Sequence, residues 1–206
     1  MKKFLCTILI GGLLTFALTG CGNDNPEGEM VKREESSTSQ RQEKGVTTGS
    51  SYVENRTFPT LSELQKSVKE EMGEHYWPEM TLSEKELEEK TGITPDMYVE
   101  FLAEKPVADS DIDTMIIIHA KEEYVGEIEQ ALEAYRSRII EENEEYPQNF
   151  GKAQASRMET IENYICFVQL GADTTVVADK GEDEIIAYCQ EENERALYVL
   201  EKEILE

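Results

Sequence analysis

Met115-Ile116-Ile117-Ile118-His119-Ala120 is apolar at every position but one. A strand with one wet face alternates apolar and polar side chains, so a run without alternation fits a central strand covered on both faces. The rest of the chain must then supply two layers of apolar cover. Thr60-x-x-Glu63 can form a capping box, and Leu61, Leu64, Val68 and Met72 follow at helical spacing up to Gly73, which predicts a helix over 61–72. Val125, Ile128, Leu132, Tyr135 and Ile139 form one stripe of a longer helix over 122–144, which Tyr146-Pro147 breaks. Ile185, Ile186, Cys189, Ala196, Leu197, Leu200 and Ile204 align on a third helix from Glu182 to Ile204, whose last turns are expected to project from the core.

Shorter signals complete the pattern. Ser83 can cap a helix with Glu86 returning the bond, Leu82 and Leu87 stand at the positions of a hydrophobic staple, and Gly92 is placed to end it. Met97 to Ala103 alternates Met97, Val99 and Phe101 against Tyr98 and Glu100, the period of a half-buried strand, and Lys105 to Asp113 joins it to the central run as a hairpin. Residues 152–161 are mostly polar and read as a short helix, while Tyr164–Leu170 and Thr174–Ala178 read as strands around Gly171-Ala172-Asp173. The expected fold is α+β, a small antiparallel or mixed sheet of about four strands packed against amphipathic helices. It occupies residues 59–206 as a single domain of ordinary size.

What precedes that domain is of another kind. Met1-Lys2-Lys3 is followed by the apolar run Phe4 to Leu18 and then by Leu18-Thr19-Gly20-Cys21, the order of a secretory signal with small residues before the cut. Leu18, Thr19, Gly20 and Cys21 resemble the bacterial lipobox, which implies a signal peptide over 1–20, removal of Gly20 as its last residue, and a diacylglycerol on the sulfur of Cys21. The competing reading is an uncleaved anchor, but the apolar run is short for a span and interrupted by Gly11 and Gly12. From Cys21 to Phe58 isolated apolar points (Val31, Val46, Tyr52, Val53) stand among Gly, Asn, Ser, Thr, Gln, Glu and Arg, the composition of a disordered tether. Such a segment reaches roughly 30–40 Å, enough to lift a domain clear of lipid headgroups. Localisation is therefore expected on the extracytoplasmic face of the cell membrane, through the lipid on Cys21.

Forty-four acidic against 20 basic residues give a formal charge of -24, and loss of Lys2 and Lys3 with the signal makes it more negative. Phosphates repel such a domain, which disfavours nucleic acid as a partner and electrostatic docking on anionic lipid. Once Cys6 leaves and Cys21 is acylated, Cys166 and Cys189 remain, each in an apolar pattern where a free thiol packs as a small hydrophobe.

From Leu61 to Asp179 the chain resembles the bacterial lipoproteins grouped as domain-of-unknown-function family 4358. The resemblance is carried by the short helix before Gly92-Ile93-Thr94-Pro95, by Tyr98-Val99-Glu100-Phe101 and by Met115-Ile116-Ile117-Ile118 running into the long helix. Tyr146-Pro147 and Tyr164-Ile165-Cys166-Phe167-Val168 complete it. It implies a similar small α+β fold behind a lipidated tether, and no reaction.

Chemistry-bearing patterns are sparse. His75 and His119 have no neighbour at HExxH or HxH spacing, and the two remaining cysteines fall in different elements, so no metal or cofactor is expected. Asp109-Ser110-Asp111-Ile112-Asp113 begins like a calcium loop, but Thr114 stands where glycine is required and Ala120 where a bidentate Glu is, leaving a polar hairpin loop. No Gly-x-Ser-x-Gly elbow or phosphate-cradling glycine loop occurs. His119, at the end of the apolar strand, reads as structural. His75-Tyr76-Trp77-Pro78 holds the only Trp; it either lines a groove that contacts a ligand or partner, or folds back to seal the core. The leading expectation is a noncatalytic envelope module that binds an unidentified protein or glycan. The alternative is an envelope hydrolase using paired carboxylates, and a solute-capturing transport receptor would need two lobes that one domain does not supply.

Overall fold

The computed structural model describes residues 58–206; the expected signal peptide, the lipobox Leu18–Cys21 and the tether up to residue 57 lie outside the described residues. Five strands form one sheet: β1 (Met80–Thr81), β2 (Tyr98–Lys105), β3 (Thr114–Ala120), β4 (Arg157–Ile161) and β5 (Tyr164–Gln169). Their order is β1-β2-β3-β5-β4 and every neighbouring pair is antiparallel, with β3 at the centre. The helices are α1 (Leu61–Met72), α2 (Glu84–Thr91), α3 (Val125–Glu142), α4 (Pro147–Ala155) and α5 (Glu182–Leu205).

Because side chains alternate along a strand, β3 feeds two cores. Met115 and Ile117 join Cys166 and Val168 of β5 beneath α1 and α5, through Leu64, Val68, Ala196, Leu197 and Leu200. Ile116 and Ile118 join Ile165 and Phe167 on the other face beneath α2 and α3, through Leu87, Ile128, Leu132 and Tyr135. Register agrees with this division, since Ile117 faces Cys166 and Ile116 faces Phe167. The covered strand read from the apolar run is thus the one between the two layers.

Helix starts follow their caps. Thr60 accepts from Glu63 N and Ser83 from Glu86 N, and in each box the glutamate returns to the backbone N–H of the capping residue. α1 ends at Gly73 with φ 56° and α2 at Gly92 with φ 79°, a region glycine enters without Cβ strain.

Three local expectations are corrected. Residues 152–161 are not one helix: α4 opens at Pro147, whose missing N–H is harmless in a first turn, and closes at Ala155, after which Arg157–Ile161 is the edge strand β4. An edge strand exposes most of its side chains, so its polar composition resembled a solvated helix. Thr174–Ala178 is not a strand; Asp173 accepts from Thr175 N and the chain turns in two short 3-10 helices, Thr174–Val176 and Ala178–Lys180. The two-residue strand β1 has too little sequence to carry an alternation. The final turns of the last helix do not project, since Leu200 and Ile204 are fully buried against the α1 face.

Candidate functional site

The densest polar grouping lies at one end of the sheet. Asp113 directly precedes β3, Asp111 lies two residues earlier in the hairpin loop, Lys152 comes from α4 and the Gly171-Ala172 backbone follows β5. Lys152 Nζ lies 2.6 Å from Asp113 Oδ1 and 2.8 Å from Asp111 Oδ1. Asp113 Oδ2 accepts from Gly171 N at 3.2 Å and from Ala172 N at 3.0 Å. Above the ammonium sits the Trp77 ring, with Nζ 4.9 Å from its centroid, a cation–π arrangement. The Asp113 side chain is fully buried and that of Lys152 is 4% exposed.

Burial pushes the Asp113 carboxyl up to about 6 even though Lys152 pulls it down. Burial alone would lower the Lys152 ammonium, but the charge of Asp113 and the bonds from both aspartates carry it above its ordinary value. A lysine held protonated and enclosed offers no amine lone pair for nucleophilic work. The backbone closes tightly over it: a Cβ at Gly171 would stand 2.6 Å from Cys189 Sγ and 3.0 Å from Lys152 Cγ, and Ala172 next to it has φ 41°.

Of the aromatic cluster, each residue has a separate fate. Tyr76 turns into the core and donates to Glu104 Oε2 at 2.6 Å; burial and that carboxylate push its phenol upward. Glu104 is itself buried and also holds Lys69 at 3.0 Å. Trp77 is 38% exposed and donates from its indole to Glu74 O. His75 Nδ1 lies 3.1 Å from Glu192 Oε2 but off the line of a hydrogen bond. The three side chains therefore do not line one groove; Tyr76 seals the core and Trp77 caps Lys152. His119 stacks on Tyr164 with centroids 4.5 Å apart.

Cys166 and Cys189 are free and buried, and burial pushes both thiols up to about 12, which keeps them protonated and unreactive. Among the described residues no three His, Cys, Asp or Glu side chains converge as metal ligands. Asp111 and Asp113, the later two acids of the calcium-like run, converge on an ammonium instead.

Among the concave surfaces of the described residues are two lined by several charged side chains, the second of them sharing Asp111 with the grouping above. An open groove of about 810 Å³ between α1 and α5 carries Glu70, Glu71, Glu191 and Glu194 along with exposed Tyr198. A more enclosed cleft of about 410 Å³ opens under the hairpin loop between α2 and α3. Lys152 and Gln169 were not singled out from the sequence. Lys152 stands alone among Gly151, Ala153 and Ala155, and a long cation on the small-residue side of a helix is the signal that could have found it. Gln169 ends an otherwise apolar strand, the polar exception in a buried row.

Residues 71–170 match the model of the family described as Domain of unknown function (DUF4358). That span holds Trp77, Asp111, Asp113, Lys152 and Gln169, and stops before α5. No curated protein and no solved structure matches the chain.

Proposed function

The chain belongs to the DUF4358 family, and from that premise we propose that it is a noncatalytic binding module held on the extracytoplasmic face of the cell membrane by a lipid on Cys21. The observation that carries this reading is the apolar run Phe4 to Leu18 ending in Leu18-Thr19-Gly20-Cys21. Acyl chains add about 0.8 kcal/mol per buried methylene, so two or three on one residue give a lasting anchor. The noncatalytic half is supported by the Asp111–Asp113–Lys152 grouping, whose charges are spent on one another. A two-carboxylate hydrolase needs its acids across a cleft with room for water or sugar between them. Asp111 and Asp113 clasp a lysine there.

The test is metabolic labelling of cells with an alkyne fatty acid, followed by mass spectrometry of the mature N-terminus. We expect label on wild type, none on Cys21→Ser, and a chain that begins at Cys21. An unlabelled chain retaining Met1 would refute the anchor.

A further inference from the structure

Between α1 and Tyr76 the chain makes one 3-10 turn, Gly73–His75, none of whose residues is buried. Trp77 donates from its indole to Glu74 O in that turn and covers the Lys152 ammonium with its ring. His75, in the same turn, reaches α5. Its side chain is 45% exposed, but Nδ1 is turned inward and lies 3.1 Å from Oε2 of the buried Glu192. A chain of contacts therefore runs from Glu192 through His75 and the Glu74 carbonyl to the indole and the ammonium beneath it.

The first link in that chain is incomplete. Nδ1 has no hydrogen-bond partner, because the direction of its proton or lone pair misses the carboxylate oxygen. A neutral imidazole protonated on Nε2 sets the Nδ1 lone pair against Glu192, which repels it, whereas imidazolium donates from both nitrogens and carries the charge that Glu192 attracts. Rotation of the ring then makes a charge-assisted bond. Glu192 has acceptor capacity for it, since Arg195 spans both carboxylate oxygens with Nη1 alone and turns Nη2 to Glu71 of α1. Around the contact, Glu74 lies on the turn itself, Tyr188 of α5 is within electrostatic reach of Glu192, and Lys69 and Glu104 are taken up with Tyr76. Beyond the indole stand Lys152, Asp111 and Asp113. Of these, Asp113, pushed up to about 6 by burial, titrates in the span of a histidine and has to be told apart.

We propose that His75 is a proton-operated latch: charged, it clamps the turn to α5 and holds Trp77 closed over Lys152, and neutral, it lets turn and indole move off the ammonium. An exposed ion pair would hold little, but the Glu192 side chain is 7% exposed, so the imidazolium charge meets an enclosed carboxylate. Tyr76 stays anchored on Glu104 and Glu79 N on Lys105 O, which confines the movement to the few residues between. The bond exists only with charged His75, so the latch is shut below the range where that ring titrates and opens as pH rises through it. This device goes beyond the binding-module reading and does not depend on the anchor.

Trp77 is the only tryptophan and His75 one of two histidines, so the chain carries its own probe. The experiment is acrylamide quenching of tryptophan emission in the full-length chain in detergent. From about pH 8 to about pH 5, where histidine changes charge, the quenching constant of wild type is expected to fall about twofold. His75→Gln should stay at the alkaline value throughout, and His119→Gln should keep the wild-type fall. Equal urea midpoints for wild type and His75→Gln at the alkaline end, where the latch is open, would show that the variant folds normally. The His75 ring signals, followed by NMR in wild type, are expected to share the midpoint of the emission change. A flat wild-type profile, an unchanged fall in His75→Gln, loss of the fall in His119→Gln, or a ring midpoint apart from the emission midpoint would each overturn the proposal. An unchanged fall in His75→Gln would assign the titration to Asp113 instead.

Discussion

The middle of β3 and its entrance are a few residues apart and bury opposite things. Ile116, Ile117 and Ile118 bury hydrocarbon on both faces of the sheet, whereas Asp113, just before the strand, buries a charge together with Lys152. Apolar burial is non-directional and adds up by area, so it tolerates exchange among side chains of similar volume. Buried charge is all or nothing: a complete set of partners roughly offsets desolvation, and an incomplete set does not.

The largest effects should come from breaking each region at its centre. Lys152→Met keeps most of the stem volume but leaves Asp113 uncompensated, and a loss of about 3–5 kcal/mol is expected. Ile117→Ala, which opens a cavity under α1 and α5, should cost about 2–5 kcal/mol. Urea unfolding measures both, and the distinction lies in the rescue. Adding Asp113→Asn to Lys152→Met should recover part of the loss, because it removes the stranded charge. Strict additivity of those two changes would mean that the two side chains are not coupled as their 2.6 Å separation requires.

Acidification sharpens the same contrast, since only the ionic end titrates. The Asp113 carboxyl stands near 6 in the folded chain, raised by burial, against about 3.9 when unfolded. Between those values the folded state holds the extra proton. The associated stability is full below about pH 4 and lost as pH rises through 6, with a ceiling of about 3 kcal/mol. The difference in unfolding free energy between wild type and Asp113→Asn should therefore widen in favour of wild type from pH 7 down to pH 4. A pH-independent difference would show that Asp113 keeps an ordinary carboxyl pKa.

How much of this could be read beforehand divides along the same line. The apolar run of β3, the capping boxes at Thr60 and Ser83 and the stripe of α3 are local patterns, and each element appears where its pattern placed it. Residues 157–161 and 174–178 depart from their sequence pattern because an edge strand and a pair of 3-10 turns bury little and so leave weak periodicity. The Lys152 cluster could not be read at all, because its aspartates lie about forty residues away along the chain. Nothing local distinguishes a buried lysine from a solvated one until the fold brings the carboxylates to it. Gln169 is of the same kind, since its unpartnered oxygen is a fact of packing. Trp77 stands out in the sequence by its rarity, but its part as a cap over Lys152 follows only from the placement of the loop.

Gly171 lies at the junction of the two regions, where apolar Cys189 and ionic Lys152 press on the same backbone. Gly171→Ala would set its methyl against both, and overpacking of this sort costs about 1–3 kcal/mol. Cys189→Ala in the same chain removes the nearer neighbour, at 2.6 Å, and should return part of that loss. Thermal unfolding of the two variants gives the answer; no recovery would mean that Lys152, not Cys189, is the side chain that cannot yield.

The smallest effect tests whether a purely local device is independent of both regions. Ser83→Ala removes the acceptor for Glu86 N and the hydroxyl that donates to Glu86 Oε2, and loss of an N-cap is worth about 1 kcal/mol. Leu82 and Leu87, both buried, still pin the first turn of α2 to the sheet, so the helix should persist with a loosened end. Hydrogen exchange separates this from a global change. Faster exchange at the Glu86 amide, with β3 amides slowed only by the residual stability, is the expected pattern. Uniform acceleration by more than the measured loss of stability would mean that the cap is coupled to the core it flanks, and the contrast between local and assembled features would fail at α2.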